Sequence, residues 1–232
     1  MKKMKFMTLG MCLAVLVSCG TATKNGALIG TGAGAALGAI IGKIAGNTAV
    51  GAAIGGAVGA GTGALIGKHM DKVKAQAQAV QNAQVESVTD ANGLQAVKVT
   101  FDSGILFATG SSTLSATAKN SLAKFAEVLK QNTDCDVAVQ GYTDNAGWKN
   151  STAEQSVQKN LNLSQQRAQA VTNYLNSLGV SNNQIRSTTG FGEANPVADN
   201  STAAGKAQNR RVEVYMYASK AMIQAAEAGT LQ

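Results

Sequence analysis

The stretch Val137-Ala-Val-Gln-Gly-Tyr142-Thr-Asp-Asn-Ala-Gly147 is the one from which the rest of the fold can be read. Its first six residues are mostly apolar and β-branched, then turn residues follow, which reads as a strand running into a loop. Asp144 therefore sits at a strand's C-terminal edge. Upstream, Leu114, Ala118, Leu122, Phe125 and Leu129 recur at spacings of four, four, three and four, which predicts an amphipathic helix. Before that helix, Ala96 to Phe101 alternates and reads as another strand. Downstream, Ser151-Thr-Ala-Glu154 has the form of a capping box. It opens a helix whose apolar face carries Val171, Tyr174, Leu175 and Leu178, with Gly179 as a suitable C′ residue. Ile185 to Gly190 reads as a short strand, Arg211 to Ala218 as a last alternating strand, and a tail helix follows Ser219. The order β-α-β-α-β-β predicts an α+β sandwich, with helices crossing one face of a sheet.

Composition bounds the rest. The 232 residues are 45% hydrophobic and 14% charged, an apolar share that excludes disorder of the whole chain. The 26 glycines do not recur every third residue and proline occurs once, which excludes collagen. The net charge of +7 invites a nucleic-acid reading. Lys2, Lys3 and Lys5, however, precede an apolar run from Phe6 to Val17, the pattern of a secretory signal. Without those three lysines 17 basic side chains face 13 acidic ones, and no nucleic-acid partner is expected. The run ends in Leu16-Val17-Ser18-Cys19-Gly20, which resembles a bacterial lipobox. That resemblance implies a signal peptide over 1–18, acylation of Cys19 and a short linker over 19–25. Several acyl chains would anchor the protein stably. Cys135 is then the sole free thiol. The single histidine, His69, lies in a different region of the chain, so neither a Cys/His pair nor a metal site or other cofactor is expected.

Glycines at 26, 30, 34, 38, 42 and 46, and again at 51, 55, 59, 63 and 67, form two registers of spacing four. On a helix each register makes one stripe of small residues, which lets helix backbones approach closely in a membrane. Residues 26–69 are accordingly expected to form a glycine-zipper helical hairpin, either inserted or peripheral, or to assemble a homo-oligomer. The segments Gly42-Lys43-Ile44 and Gly67-Lys68-His69 lack the Ser or Thr that a phosphate-binding loop requires. Residues 70–92 are expected to be a helical spacer, residues 93–218 a globular domain, and residues 219–232 the tail helix.

The globular part resembles the OmpA family. The resemblance rests on Thr100-Phe-Asp-Ser-Gly104 with Phe107, Gly110-Ser111 and Leu114, and on Gly141-Tyr-Thr-Asp-Asn-Ala-Gly147. It continues in Asn160-Leu-Asn-Leu-Ser-Gln-Gln-Arg-Ala168, Gly190-Phe-Gly-Glu193 with Pro196, and Asn209-Arg-Arg-Val-Glu213. Five pieces in family order are far more specific than any one. The lipobox and the glycine registers likewise resemble OmpA-family outer-membrane lipoproteins. The resemblance implies an OmpA C-terminal-like sandwich that binds peptidoglycan without catalysis, on a protein lipid-anchored to the outer membrane with its C-terminal domain in the periplasm. One departure stands out: the chain between Gly147 and Asn160 is longer than the family pattern, and the extra stretch around Trp148 to Val157 holds the only tryptophan. Trp148 either covers the edge of the core or stacks on a sugar.

A peptidoglycan stem offers an ammonium and, in diaminopimelate, a free carboxylate. An arginine's planar fork suits the carboxylate. The resemblance assigns Asp144 to the ammonium and Arg167 to the carboxylate, with Asp102, Phe101, Asn145, Leu163, Asn160, Asn209 and Arg210 around them. Arg167 follows Asn160 by seven residues, two helical turns, so both leave one helix face. The competing reading pairs Asp144 only with Arg167. A wall-degrading enzyme is not expected, because such chemistry needs a metal, paired carboxylates or a Cys/His pair. A further alternative is an oligomeric glycine-zipper membrane protein whose C-terminal domain only localises it to the wall.

Overall fold

The computed structural model describes residues 60–89 and 94–231. The signal segment, Cys19 and the glycine registers up to Gly59 lie outside the described residues, so the lipidation and hairpin expectations are not addressed by it. In chain order the elements are α1 (Ala60–Ala77), β1 (Ala83–Thr89), β2 (Gln95–Asp102), α2 (Ser103–Leu106), α3 (Ala116–Gln131) and β3 (Cys135–Gly141). They continue with α4 (Ala153–Ser177), β4 (Ile185–Gly190), α5 (Ala203–Asn209), β5 (Arg211–Ala218) and α6 (Lys220–Glu227). The sheet order is β1-β2-β5-β3-β4. All neighbours are antiparallel except β3 and β4, whose parallel pairing is bridged by α4.

The strands alternate as the sequence pattern requires. Val97, Val99, Val137, Val139, Val212, Val214 and Met216 face the helices and build the core with Leu122, Phe125, Val171 and Leu175. Val88, Ala96, Ala138 and Tyr215 form a smaller cluster on the other face. The expected α+β architecture is present, and β4 and β5 match their expected limits. Ser115 caps α3 by accepting from Ala118 N at 2.9 Å. The cap of α4 is Thr152, one residue beyond the expected Ser151. Its hydroxyl accepts from Gln155 N, and the Gln155 side chain accepts from Thr152 N. Gly179 has φ +90°, the left-handed value that a helix C′ glycine supplies.

The expected free helical spacer over 70–92 is not what the chain forms. The helix ends at Ala77, and Ala83–Thr89 is a strand pairing antiparallel with β2, from Ala83 opposite Phe101 to Thr89 opposite Gln95. Lys98 also forms an ion pair with Glu86 across this ladder. The weak alternation of β1 carries little local signal; the open edge of β2 decides its state. Nor does α1 stand free. Ile66, Met70, Val73 and Ala77, spaced four, three and four, are fully buried in the core. Among the described residues, a Cβ at Gly63 would touch nothing, and one at Gly67 would meet the Gln95 side chain. Among the described residues no helix is long and apolar enough to cross a membrane.

Candidate functional site

Two glycines bring the walls of the site together. Gly141 ends β3 and lies opposite Gly190 at the end of β4. A Cβ on Gly141 would stand 2.2 Å from Ser164 O, and one on Gly190 would stand 2.2 Å from Gln165 N. Only glycine allows α4 to press its backbone onto both strand ends. Ser164 Oγ then accepts from Gly192 N at 2.8 Å, and Thr143 N donates to Gly192 O at 2.8 Å, which fixes the two strand-end loops to the helix and to each other.

At this junction lies an open cleft of about 600 Å³. One wall is α4, with Asn160, Leu163 and Arg167 at spacings of three and four on one face. The second wall is α2 and the loop after it, including Ser103, Phe107 and Gly110. Thr143, Asp144 and the loop to Lys149 form the third side, and Arg210, at the end of α5, closes the rim.

Asp144 and Arg167 both line this cleft but do not pair directly. Asp144 is buried; its Oδ1 accepts from Ala146 N at 3.0 Å and its Oδ2 from Arg210 Nη1 at 2.5 Å. Arg167, 3% exposed, donates from Nε to Ser111 O at 3.0 Å and stacks its guanidinium over the Phe107 ring at 5.2 Å. Burial, and next the Arg210 charge, pull the Arg167 pKa below its ordinary value, while Asp144 opposes them. Two guanidinium groups thus face one carboxylate, which leaves the cleft with surplus positive charge beside a low-dielectric wall. The hydroxyls of Ser103 and Thr143, both buried in the cleft lining, have no hydrogen-bond partner among the described residues.

Asn160 ties the loop to the helix by donating to Ala146 O at 3.1 Å, and its Oδ1 accepts from Trp148 Nε1 at 2.7 Å. Trp148 N also donates to Ser156 Oγ at 3.0 Å. Within the extra stretch, Trp148 to Ser151 form a loop beside the cleft, and α4 begins at Ala153. Trp148 is part of the cleft wall, with Lys159 Nζ 5.8 Å from its ring centre.

Four expected site residues lie elsewhere. Phe101 is a core residue, edge-on to Phe125 at 5.6 Å, because its position in β2 points to the helices. Asp102 caps α2 through Gly104 N at 2.6 Å and borders a neighbouring groove. Asn145 is exposed outside the cleft lining. Asn209 is fully buried and holds the 197–200 turn, accepting from Val197 N and Ala198 N and donating to Ala198 O. Sequence reasoning in turn missed Ser103, Thr143 and the Phe107 stack. All three belonged to the family pattern without a role assigned to them.

A sheet of order β1-β2-β5-β3-β4, crossed on one face by helices and opening at the strand ends into a cleft with one carboxylate and two arginines, defines an OmpA C-terminal-like domain. This chain matches the OmpA family over residues 106–210 and the YMGG-like Gly-zipper over residues 1–71. It is 38% identical over 149 residues to the probable lipoprotein YiaD of Escherichia coli K12, covering 64% of this chain and 63% of that protein. It is 43% identical over 93 residues to the peptidoglycan-binding protein ArfA of Mycobacterium tuberculosis, covering 40% of this chain and 26% of ArfA. The chain therefore spans less than two thirds of either relative. Among solved structures, the cell wall anchor of the type VI secretion system from Pseudomonas aeruginosa superposes with a TM-score of 0.51 at 28% identity, over 65% of this chain and 97% of that one.

Proposed function

We propose that this protein is a non-catalytic lipoprotein of the outer membrane that binds peptidoglycan stem peptides in the cleft and tethers the membrane to the wall. The observation that carries the reading is the buried Arg167, held by Ser111 O and the Phe107 ring beside the Asp144–Arg210 pair. Such an arrangement suits a ligand end bearing both charges. Arg167 receives the carboxylate, and the ammonium enters beside Asp144, where it competes with Arg210. Arg210, 39% exposed, is the partner able to yield. The open hydroxyls of Ser103 and Thr143 supply further polar contacts. The names of YiaD and ArfA agree with a wall-binding lipoprotein. Lipidation at Cys19 supplies the anchor, with the glycine registers adding membrane association or self-association. Among the cleft's lining residues Asp144 is the one acid, and it is engaged in an ion pair, which supports binding rather than hydrolysis.

The test is binding of the full chain in detergent to purified sacculi, with free diaminopimelate as competitor. Asp144→Ala and Arg167→Ala should each weaken binding by ~30-fold to several-thousand-fold, the equivalent of about 2–5 kcal/mol for a charge left without its partner in a partly desolvated site. Arg167→Lys should rescue only in part, since an ammonium cannot make the two-pronged contact. Circular dichroism checks that each variant is folded. A folded Asp144→Ala protein that binds within about threefold of wild type would remove the assignment.

A further inference from the structure

The single histidine and the single described cysteine, 66 positions apart in sequence, meet where α1, which packs on β2 and α6, comes beside the start of β3. His69 Nε2 is 3.1 Å from Asp134 Oδ2. One ligand atom each from His69, Asp134 and Cys135 lie within 4.8 Å of one another. A second sulfur packs beside them: that of the buried Met70 is 3.9 Å from Cys135 Sγ. We infer that His69, Asp134 and Cys135 form a binding site for a borderline-soft divalent cation of the zinc class, which would clamp α1 to the sheet.

The chemistry of the donors selects that class. Imidazole, thiolate and carboxylate are the three side chains that zinc takes, at bond lengths of roughly 2.0–2.3 Å. In a tetrahedron with such bonds, neighbouring ligand atoms stand about 3.3–3.8 Å apart. The His69–Asp134 separation of 3.1 Å already lies close to that range, and the Cys135 sulfur, within 4.8 Å of both ligand atoms, has to move closer by a change of side-chain torsion. The site is also reachable. Cys135 and Met70 are buried, whereas the side chains of His69 and Asp134 are 15% and 35% exposed and form the entrance.

The electrostatics favour a cation as well. The carboxylates of Asp134 and Asp136 flank Cys135 in sequence and attract a divalent ion, whose ligation by the thiol releases that proton to water. The bound ion would join side chains of α1 to the first residue of β3 and the residue before it. It would therefore strengthen the joint through which the N-terminal part of the chain continues into the domain.

Cobalt titration of the full chain in detergent tests the site, using wild type, Cys135→Ala and His69→Gln. Cys12 and Cys19 are common to all three, so the differences report residue 135. Wild type should show a thiolate-to-cobalt charge-transfer band that saturates with one more cobalt per chain than Cys135→Ala, and zinc should bleach it. His69→Gln leaves the core intact and should weaken cobalt at least tenfold. Zinc should raise the thermal midpoint of wild type by a few degrees, and that of His69→Gln much less. Identical cobalt spectra for wild type and Cys135→Ala would overturn the site. So would unchanged affinity in His69→Gln, or saturation by Cu⁺ alone with no response to cobalt or zinc.

Discussion

Arg211 and Glu213 show how one charged pair can be accommodated inside this sheet. Both are almost fully buried, and Arg211 Nε donates to Glu213 Oε1 at 2.7 Å. The remaining groups are also satisfied. Tyr215 OH donates to Glu213 Oε2 at 2.6 Å, Arg211 Nη1 to Asn209 O at 3.2 Å, and Arg211 Nη2 to Asn195 O at 3.1 Å. The guanidinium covers the Tyr142 ring at 3.9 Å, and Tyr142 stacks on Phe191 at 5.3 Å. Burial first, then the Glu213 charge, pushes the Tyr142 and Tyr215 hydroxyls far above their ordinary pKa. Arg211→Met strands Glu213 in the interior and should cost about 3–5 kcal/mol in urea unfolding. The double variant Arg211→Met with Glu213→Leu should recover a clear part of that loss, since no charge is then left alone. If the double variant is no more stable than the single one, the cost comes from lost packing and carbonyl contacts instead.

At the scale of elements, the contact between α4 and the ends of β3 and β4 sets the cleft. Gly141→Ala would put a methyl group 2.2 Å from Ser164 O, a backbone atom that cannot move without moving the helix. The expected cost is about 1–3 kcal/mol of stability. Because Arg167 lies one turn beyond Ser164, sacculus binding should fall as well, and by more than the loss of stability explains at temperatures where the domain stays folded. Normal binding by a measurably destabilised Gly141→Ala protein would separate the helix position from the site. Gly63 provides a control on α1, where a Cβ meets nothing: Gly63→Ala should be neutral or slightly stabilising, since alanine is favoured over glycine in a helix by about 1 kcal/mol.

On the scale of the whole molecule, α1 and β1 extend the domain towards the N-terminus. Ile66 is fully buried in the shared core, so Ile66→Ala should lower the unfolding free energy by about 2–5 kcal/mol. A free spacer helix would respond by no more than about 0.5 kcal/mol, as exposed positions do. Chemical denaturation of the two proteins distinguishes these outcomes. The chain that follows the glycine registers is thus bound to the domain before it reaches β2.

The local code was sufficient for four strands, two long helices and the tail helix, because alternation and 3.6-residue periodicity survive in single segments such as Arg211–Ala218 and Ala116–Gln131. Of the residues that the family resemblance grouped, Asp144, Asn160, Leu163, Arg167 and Arg210 all line the cleft. The local code failed for Ala83–Thr89, where a weak pattern becomes a strand only because β2 has an open edge, and for α1, whose apolar stripe acquires meaning only from the surface it covers. Long-range pairing also decided the ion pairing. Arg210, 66 positions from Asp144, holds the carboxylate that the competing reading paired with Arg167, and the fold brought His69 to Cys135. A sequence records which faces are apolar and which residues are charged. Which of those faces and charges meet depends on contacts between distant segments, and their energies exist only once the chain has closed on itself.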